Sequence, residues 1–217
     1  MCCKKKNYVF SEIDYKLLKG IIDIKQIRSQ KIFNEWFNFD YVINKSEEEH
    51  LIKLIEANRY NLDSYIESQL ISHFISPFLN KVYFYGKNYR EWYQTEISAF
   101  INEIKITGIL DFMVASGTEE PEIPYFFITE FKKSAPIQKH PKGQLLAQMA
   151  VAIENNKLNK MSGAYNIGRF WFFVVLENFD GKYKYHESKS FDCLDLEHLK
   201  QIFINLKFIK HKITNEE

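Results

Sequence analysis

The spacing of hydrophobic positions changes once along this chain. Over the first sixty residues apolar side chains recur at helical intervals, which predicts helices over Ser11–Phe37 and Ser46–Asn58. The second opens on Ser46 with an acidic first turn, Glu47-Glu48-Glu49. A third helix is predicted from Leu62 to Leu79, capped by Asn61 or Asp63. The period then falls to two. Glu96–Ile106 predicts a strand, Thr107-Gly108 a break, Ile109–Ala115 a second strand and Tyr125–Lys133 a third after the turn-rich Gly117–Pro124. Pro136 and Pro141 frame a loop before a helix over Lys142–Asn156. Arg169–Leu176 is almost wholly apolar, as in a strand buried on both faces. Asp180-Gly181 is a hairpin signal leading into Lys182–Glu187, and a helix over Asp195–Lys210 follows. Helices, a three-strand meander, a crossover helix and a parallel strand predict an α/β fold with a mixed central sheet flanked by helices. In this reading residues 1–60 are an N-terminal helical extension on a domain covering 61–217.

Composition narrows the function classes. Hydrophobic residues make up 46% of the 217 positions and charged ones 26%, which excludes wholesale disorder. A net charge of +1 provides no global field for a polyanion, so any grip on nucleic acid must be local or supplied by a metal ion. The three cysteines, Cys2, Cys3 and Cys193, have no zinc spacing, as expected in a reducing compartment. The basic start, Met-Cys-Cys-Lys-Lys-Lys, leads into no apolar stretch of the signal-peptide kind, and no run reaches the roughly 18 apolar residues of a membrane span. The expectation is a cytoplasmic protein with no membrane partner.

The chemistry concentrates at the end of the third predicted strand, Ile128-Thr129-Glu130-Phe131-Lys132-Lys133. Glu130 and Lys132 are two apart and share the face of Phe126 and Ile128, so a carboxylate and an ammonium continue an apolar surface. A strand end emerging into water with a weak ion pair would give the same pattern. Asp111 sits near the start of the neighbouring predicted strand, in Gly108-Ile109-Leu110-Asp111, where a meander can bring it beside Glu130. Two such carboxylates raise each other's pKa, and a divalent cation removes the penalty; hard oxygen donors favour magnesium or manganese over zinc. On a helical wheel Glu67 falls in the apolar arc of Ile66, Leu70, Phe74 and Phe78, where a glutamate needs a basic partner or a metal. Gln144 and Gln148 are four apart on one flank of the helix that follows.

These pieces resemble the PD-(D/E)XK nuclease superfamily, with its restriction-endonuclease-like three-layer core. The motif reads Asp111, then Glu130-Phe131-Lys132. Glu67 lies on a preceding helix, and Gln144 and Gln148 are similar to the glutamine motif of one subset. The resemblance covers about 62–176, including Asn166-Ile167-Gly168-Arg169-Phe170-Trp171-Phe172; the naming proline is replaced by Leu110. It implies magnesium- or manganese-dependent hydrolysis of phosphodiester bonds, of DNA rather than RNA, in defence or DNA processing. Asp111, Glu130, the Phe131 carbonyl and Glu67 would be the metal donors. Lys132 would orient or deprotonate the attacking water or stabilise developing charge, and Gln148 would orient Lys132 or the water. Lys133, Lys139, His140, Lys142 and Gln144 would line the nucleic-acid path. Tyr83, Tyr85, Tyr89, Trp92 and Tyr93, interleaved with Lys87 and Arg90, suit either base stacking or core packing. Specificity would need a homodimer or a partner protein. The alternative is a catalytically silent nuclease-fold module that binds nucleic acid or protein.

Overall fold

The computed structural model describes residues 7–134 and 140–216. The chain begins with strand β1 (Asn7–Val9), helix α1 (Tyr15–Ile21), strand β2 (Asp23–Gln26) and helices α2 (Asn34–Phe37) and α3 (Lys45–Asn58). Then come α4 (Glu67–Leu70), a π-helical turn (Ile71–Ile75) and α5 (Ser76–Val82). Strands β3 (Tyr89–Ile101), β4 (Ile104–Ser116) and β5 (Glu122–Lys132) lead to helix α6 (Pro141–Asn156). Strands β6 (Lys160–Ile167), β7 (Phe170–Phe179), β8 (Lys182–Glu187) and β9 (Phe191–Asp192) precede helix α7 (Leu196–Glu216).

Among the described residues the strands form one curled, mixed sheet in the order β1-β4-β5-β6-β7-β8-β2, with β3 alongside β4 and β9 alongside β7. Successive residues of the central strands feed opposite faces, as the pleat requires. Phe127, Phe131, Phe173 and Val175 pack under α3, α5 and α7, whereas Ile128, Tyr165, Val174 and Leu176 pack under α6 and α1. The expected meander is present, because β3, β4 and β5 run antiparallel in order. So is the crossover: β5, α6 and β6 form a parallel unit.

Several expected elements are corrected. Ser11–Phe37 is not one helix. Ile21-Ile22-Asp23-Ile24 has the β-branched alternation of a strand, and β2 pairs in parallel with β8 while Ile24 is buried. Residues expected in a helical extension therefore supply strands β1 and β2 at the two ends of the sheet path. Thr107-Gly108 is no break. The β3–β4 turn falls at Asn102-Glu103, both with positive φ, and Gly108 lies inside β4 at φ +147, where the Phe10 ring comes too close for any side chain. The parallel partner of β5 is β6, a strand the pattern did not reveal, and β7 runs antiparallel to it. Small residues hid β6: at Gly163 a Cβ would approach the Ile128 carbonyl to 2.9 Å and the Met149 sulfur to 3.1 Å.

Asn44, not Ser46, caps α3. Its side chain accepts from Glu47 N (3.0 Å), and the Glu47 carboxylate accepts from Asn44 N (3.1 Å). The expected 62–79 helix is interrupted as well. Pro77 offers no N–H to the carbonyl of His73, the chain takes a π turn just before it, and the Asn58 amide donates to that carbonyl at 3.4 Å.

Helix α6 is held against α1 at its first turn, because a methyl group on Gly143 would occupy the backbone of Asp14 and Tyr15. Gly143→Ala is expected to destabilise the fold by about 2 kcal/mol or more in urea titrations, as overpacking does elsewhere. An unchanged urea midpoint would mean that the helix can lift away freely.

Candidate active site

The site forms where β5 parts from β4. Their ladder ends at the Phe112–Thr129 pair, and the remainder of β4 is flanked on that side by β1. Just past the last pair, the backbone N–H of Phe131 donates to Asp111 Oδ2 at 2.8 Å, so a side chain replaces the missing strand partner. Glu130 points the other way, under α6, and is fully buried. Gln148 Nε2 donates to its Oε2 at 2.8 Å. Lys132, two residues on and on the same face, brings its ammonium to 2.9 Å from Glu130 Oε1 and 3.3 Å from Glu67 Oε1. The structure thus brings Asp111, Glu130, Lys132, Gln148 and Glu67 to one place. Phe131 is there through its backbone, while its ring packs on Phe112 and Trp171.

Glu67 arrives by a different route from the one expected. It is the first residue of α4 and its side chain is 44% exposed, rather than lying in a buried stripe. The short α4 and the π turn after it break the single helical wheel that placed it among phenylalanines. Gln94 was not anticipated. Its amide reaches Asp111 Oδ1 at 3.4 Å, because the Tyr93–Phe112 and Thr95–Leu110 pairs set it opposite that residue. Only the strand register, which the sequence does not state, would have revealed it.

Three carboxylates therefore face one ammonium. Burial, and then the charge of Asp111, pushes the Glu130 carboxyl up to about 7. Burial also raises Asp111, against the pull of the Phe131 N–H and Lys132. Burial opposes the charge on Lys132, but Glu130, Asp111 and Glu67 together hold its pKa above the ordinary value. One acceptor, Gln148 Oε1, is buried with no hydrogen-bond donor among the described residues.

The expected nucleic-acid residues are more committed than free lysines would be. The Lys142 ammonium is bound by Glu187 Oε2 at 3.2 Å. His140 caps α6, its Nδ1 accepting from Lys142 N, and its ring meets Tyr165 edge-on. Lys133 reaches the Ser64 carbonyl at 3.5 Å. Gln144 is half-buried one turn before Gln148. Lys139 lies outside the described residues. Of the upstream aromatics, Tyr89 is buried, Arg90 lies over Trp92 at 4.6 Å, and Tyr83 packs on Tyr85. A cavity of about 1080 Å³ contains none of these acids; it opens at the other end of β5 and β6, between Tyr125, Met161 and Ile213. The chain matches no known family model and no curated protein sequence. No helix among the described residues is long and apolar enough to cross a membrane.

Proposed function

We propose that this chain is a magnesium- or manganese-dependent nuclease that hydrolyses phosphodiester bonds of DNA, in defence or DNA processing, on a restriction-endonuclease-like fold. One observation carries the reading: at the β4–β5 divergence Asp111 is tied at 2.8 Å to the backbone N–H of Phe131, the residue between Glu130 and Lys132, and the Lys132 ammonium lies 2.9 Å from the buried Glu130 carboxylate. Buried neighbouring carboxylates are costly to ionise together, and a divalent cation would offset that cost. The donor set fits such an ion. Asp111, Glu130, the Phe131 carbonyl and Glu67 are hard oxygen donors, and the orphaned Gln148 carbonyl is an acceptor for a water molecule. A cation held there would polarise a phosphate and lower the pKa of a bound water. The chain's own residues supply the rest. The Lys132 ammonium donates to a phosphate oxygen as negative charge develops, and Gln148 fixes the Glu130 carboxylate.

The test uses linear, nicked and single-stranded DNA, and RNA, with magnesium or manganese, comparing the wild type with Asp111→Ala and Lys132→Ala. Cleavage by the wild type alone supports the reading. Binding without cleavage, unchanged by either substitution, points instead to a silent binding module.

Cation binding is also read without substrate. At pH 8, magnesium at about ten times its Kd is expected to raise the Tm of the wild type by about 3–6 °C and to leave Asp111→Ala unmoved. At pH 5.5 the wild-type shift should shrink, because Glu130 keeps its proton. Equal shifts in both proteins would remove the metal site.

A further inference from the structure

Strand register extends the site in one direction. Lys132 on β5 pairs with Ile167 on β6, and Ile167 pairs with Phe170 on β7. Paired residues on neighbouring strands share a face. Lys132, Ile167 and Phe170 therefore form a row along the end of the sheet, on the side of Glu130 and Gln148. At ordinary strand spacing Phe170 stands about 10 Å from Lys132. The row below it, Glu130, Tyr165 and Phe172, is solid: Tyr165 and Phe172 stack at 4.8 Å with their planes 13° apart.

Phe170 is unlike its neighbours. It is 42% exposed, although it begins a strand whose next residue, Trp171, is 1% exposed. Its turn is tightly fixed. Gly168 N donates to the Lys132 carbonyl at 2.8 Å, in a left-handed conformation at φ +55. The Arg169 guanidinium lies over the Phe170 ring at 5.3 Å and is itself held by Asp192 at 2.7 Å. An exposed aromatic ring, with an arginine against it and joined through one isoleucine to the lysine of the site, has the make-up of a base-stacking platform.

We infer that Phe170, with Ile167 beside it and Arg169 against it, stacks an unpaired nucleobase next to the scissile phosphate, so that the substrate is single-stranded or locally unpaired DNA. This rests on the nuclease reading of the adjoining site. A base one or two nucleotides from a phosphate held at Lys132 would reach the ring, whereas a base stacked within a duplex would not present its face to it.

The probe is a single-stranded 12-nucleotide DNA carrying one 2-aminopurine, titrated with calcium in place of magnesium, alongside the same sequence as a duplex. Wild type and Phe170→Tyr are expected to quench the fluorophore. Phe170→Ala should bind the single strand about tenfold more weakly, with duplex binding unchanged. Because the ring is exposed, the thermal melt of Phe170→Ala should match that of the wild type. Equal quenching and affinity in Phe170→Ala, or no binding by the wild type, overturns the platform. If the wild type cleaves and Phe170→Ala leaves its ratio of single-strand to duplex cleavage unchanged, the platform falls and the nuclease reading stands. If Phe170-dependent quenching occurs but nothing is cleaved with magnesium or manganese, the platform stands and the nuclease reading falls.

Discussion

Asp111→Asn is expected to fold as well as the wild type and to cleave DNA about a thousandfold more slowly. The first half follows from geometry. The amide oxygen of asparagine still accepts from the Phe131 N–H, which is 2.8 Å from Asp111 Oδ2, so the point where β5 leaves β4 keeps its tie. Stability should hold or rise, because Asp111 is an acid whose ionisation burial disfavours. The second half follows from charge. An amide carries none, and removing one preorganised electrostatic contact costs about 10²–10³ in rate even where no metal donor is lost with it. Matched urea midpoints together with lost cleavage would separate chemistry from folding. Full activity in this variant would remove Asp111 from the mechanism.

Glu130→Gln should make the protein more stable at pH 8 and leave it unchanged near pH 4. The folded-state pKa of Glu130 is raised from 4.5 to about 7. Such a group contributes stability that is fully present below the unfolded pKa and is lost as pH rises through the folded one, so the window runs from about 4.5 to about 7. At 1.36 kcal/mol per unit, the ionised carboxylate costs the apo protein up to about 3 kcal/mol above that window. Glutamine removes the cost and can still accept from Gln148. Part of the gain is returned, because Lys132 loses its nearest partner and keeps Glu67 at 3.3 Å. The net expectation is about 1–3 kcal/mol at pH 8, read from urea midpoints at the two pH values, with cleavage abolished. A variant less stable at pH 8 would show that Lys132 fully compensates the buried charge, and the case for a cation would weaken with it.

The parts of this fold that could be read in advance are those where one physical signal dominates. Tyr125–Lys133 is apolar until it ends in charge, and Lys142–Asn156 is an unbroken helical face, so both elements lie within a few residues of β5 and α6. These two elements also carry Glu130, Lys132 and Gln148, which is why that part of the site was legible. β6 was not, because Gly163 is chosen for the closeness of α6 and not for apolar mass. The first 26 residues carry a helical signal because Leu17, Leu18, Ile21 and Ile22, three and four apart, lie across a short helix that runs straight into a strand. Glu67 was identified for the wrong reason, since a proline-associated π turn changes the helical count after it. Gln94 and Phe170 owe their importance to strand register, a long-range property that no local pattern encodes.

The opening segment has a consequence for how the domain is assembled. β1 closes on β4 about one hundred residues later, at Lys105–Thr107, and β2 closes on β8 later still, at Lys182–Tyr185. Between them α1 crosses the side of the sheet that α6 covers. Contacts of such wide sequence separation carry the loop-closure entropy that slows folding. The start of the chain thus clasps both β4 and β8, and a fragment beginning at residue 61 would leave β8 as a bare margin open to pairing with other molecules.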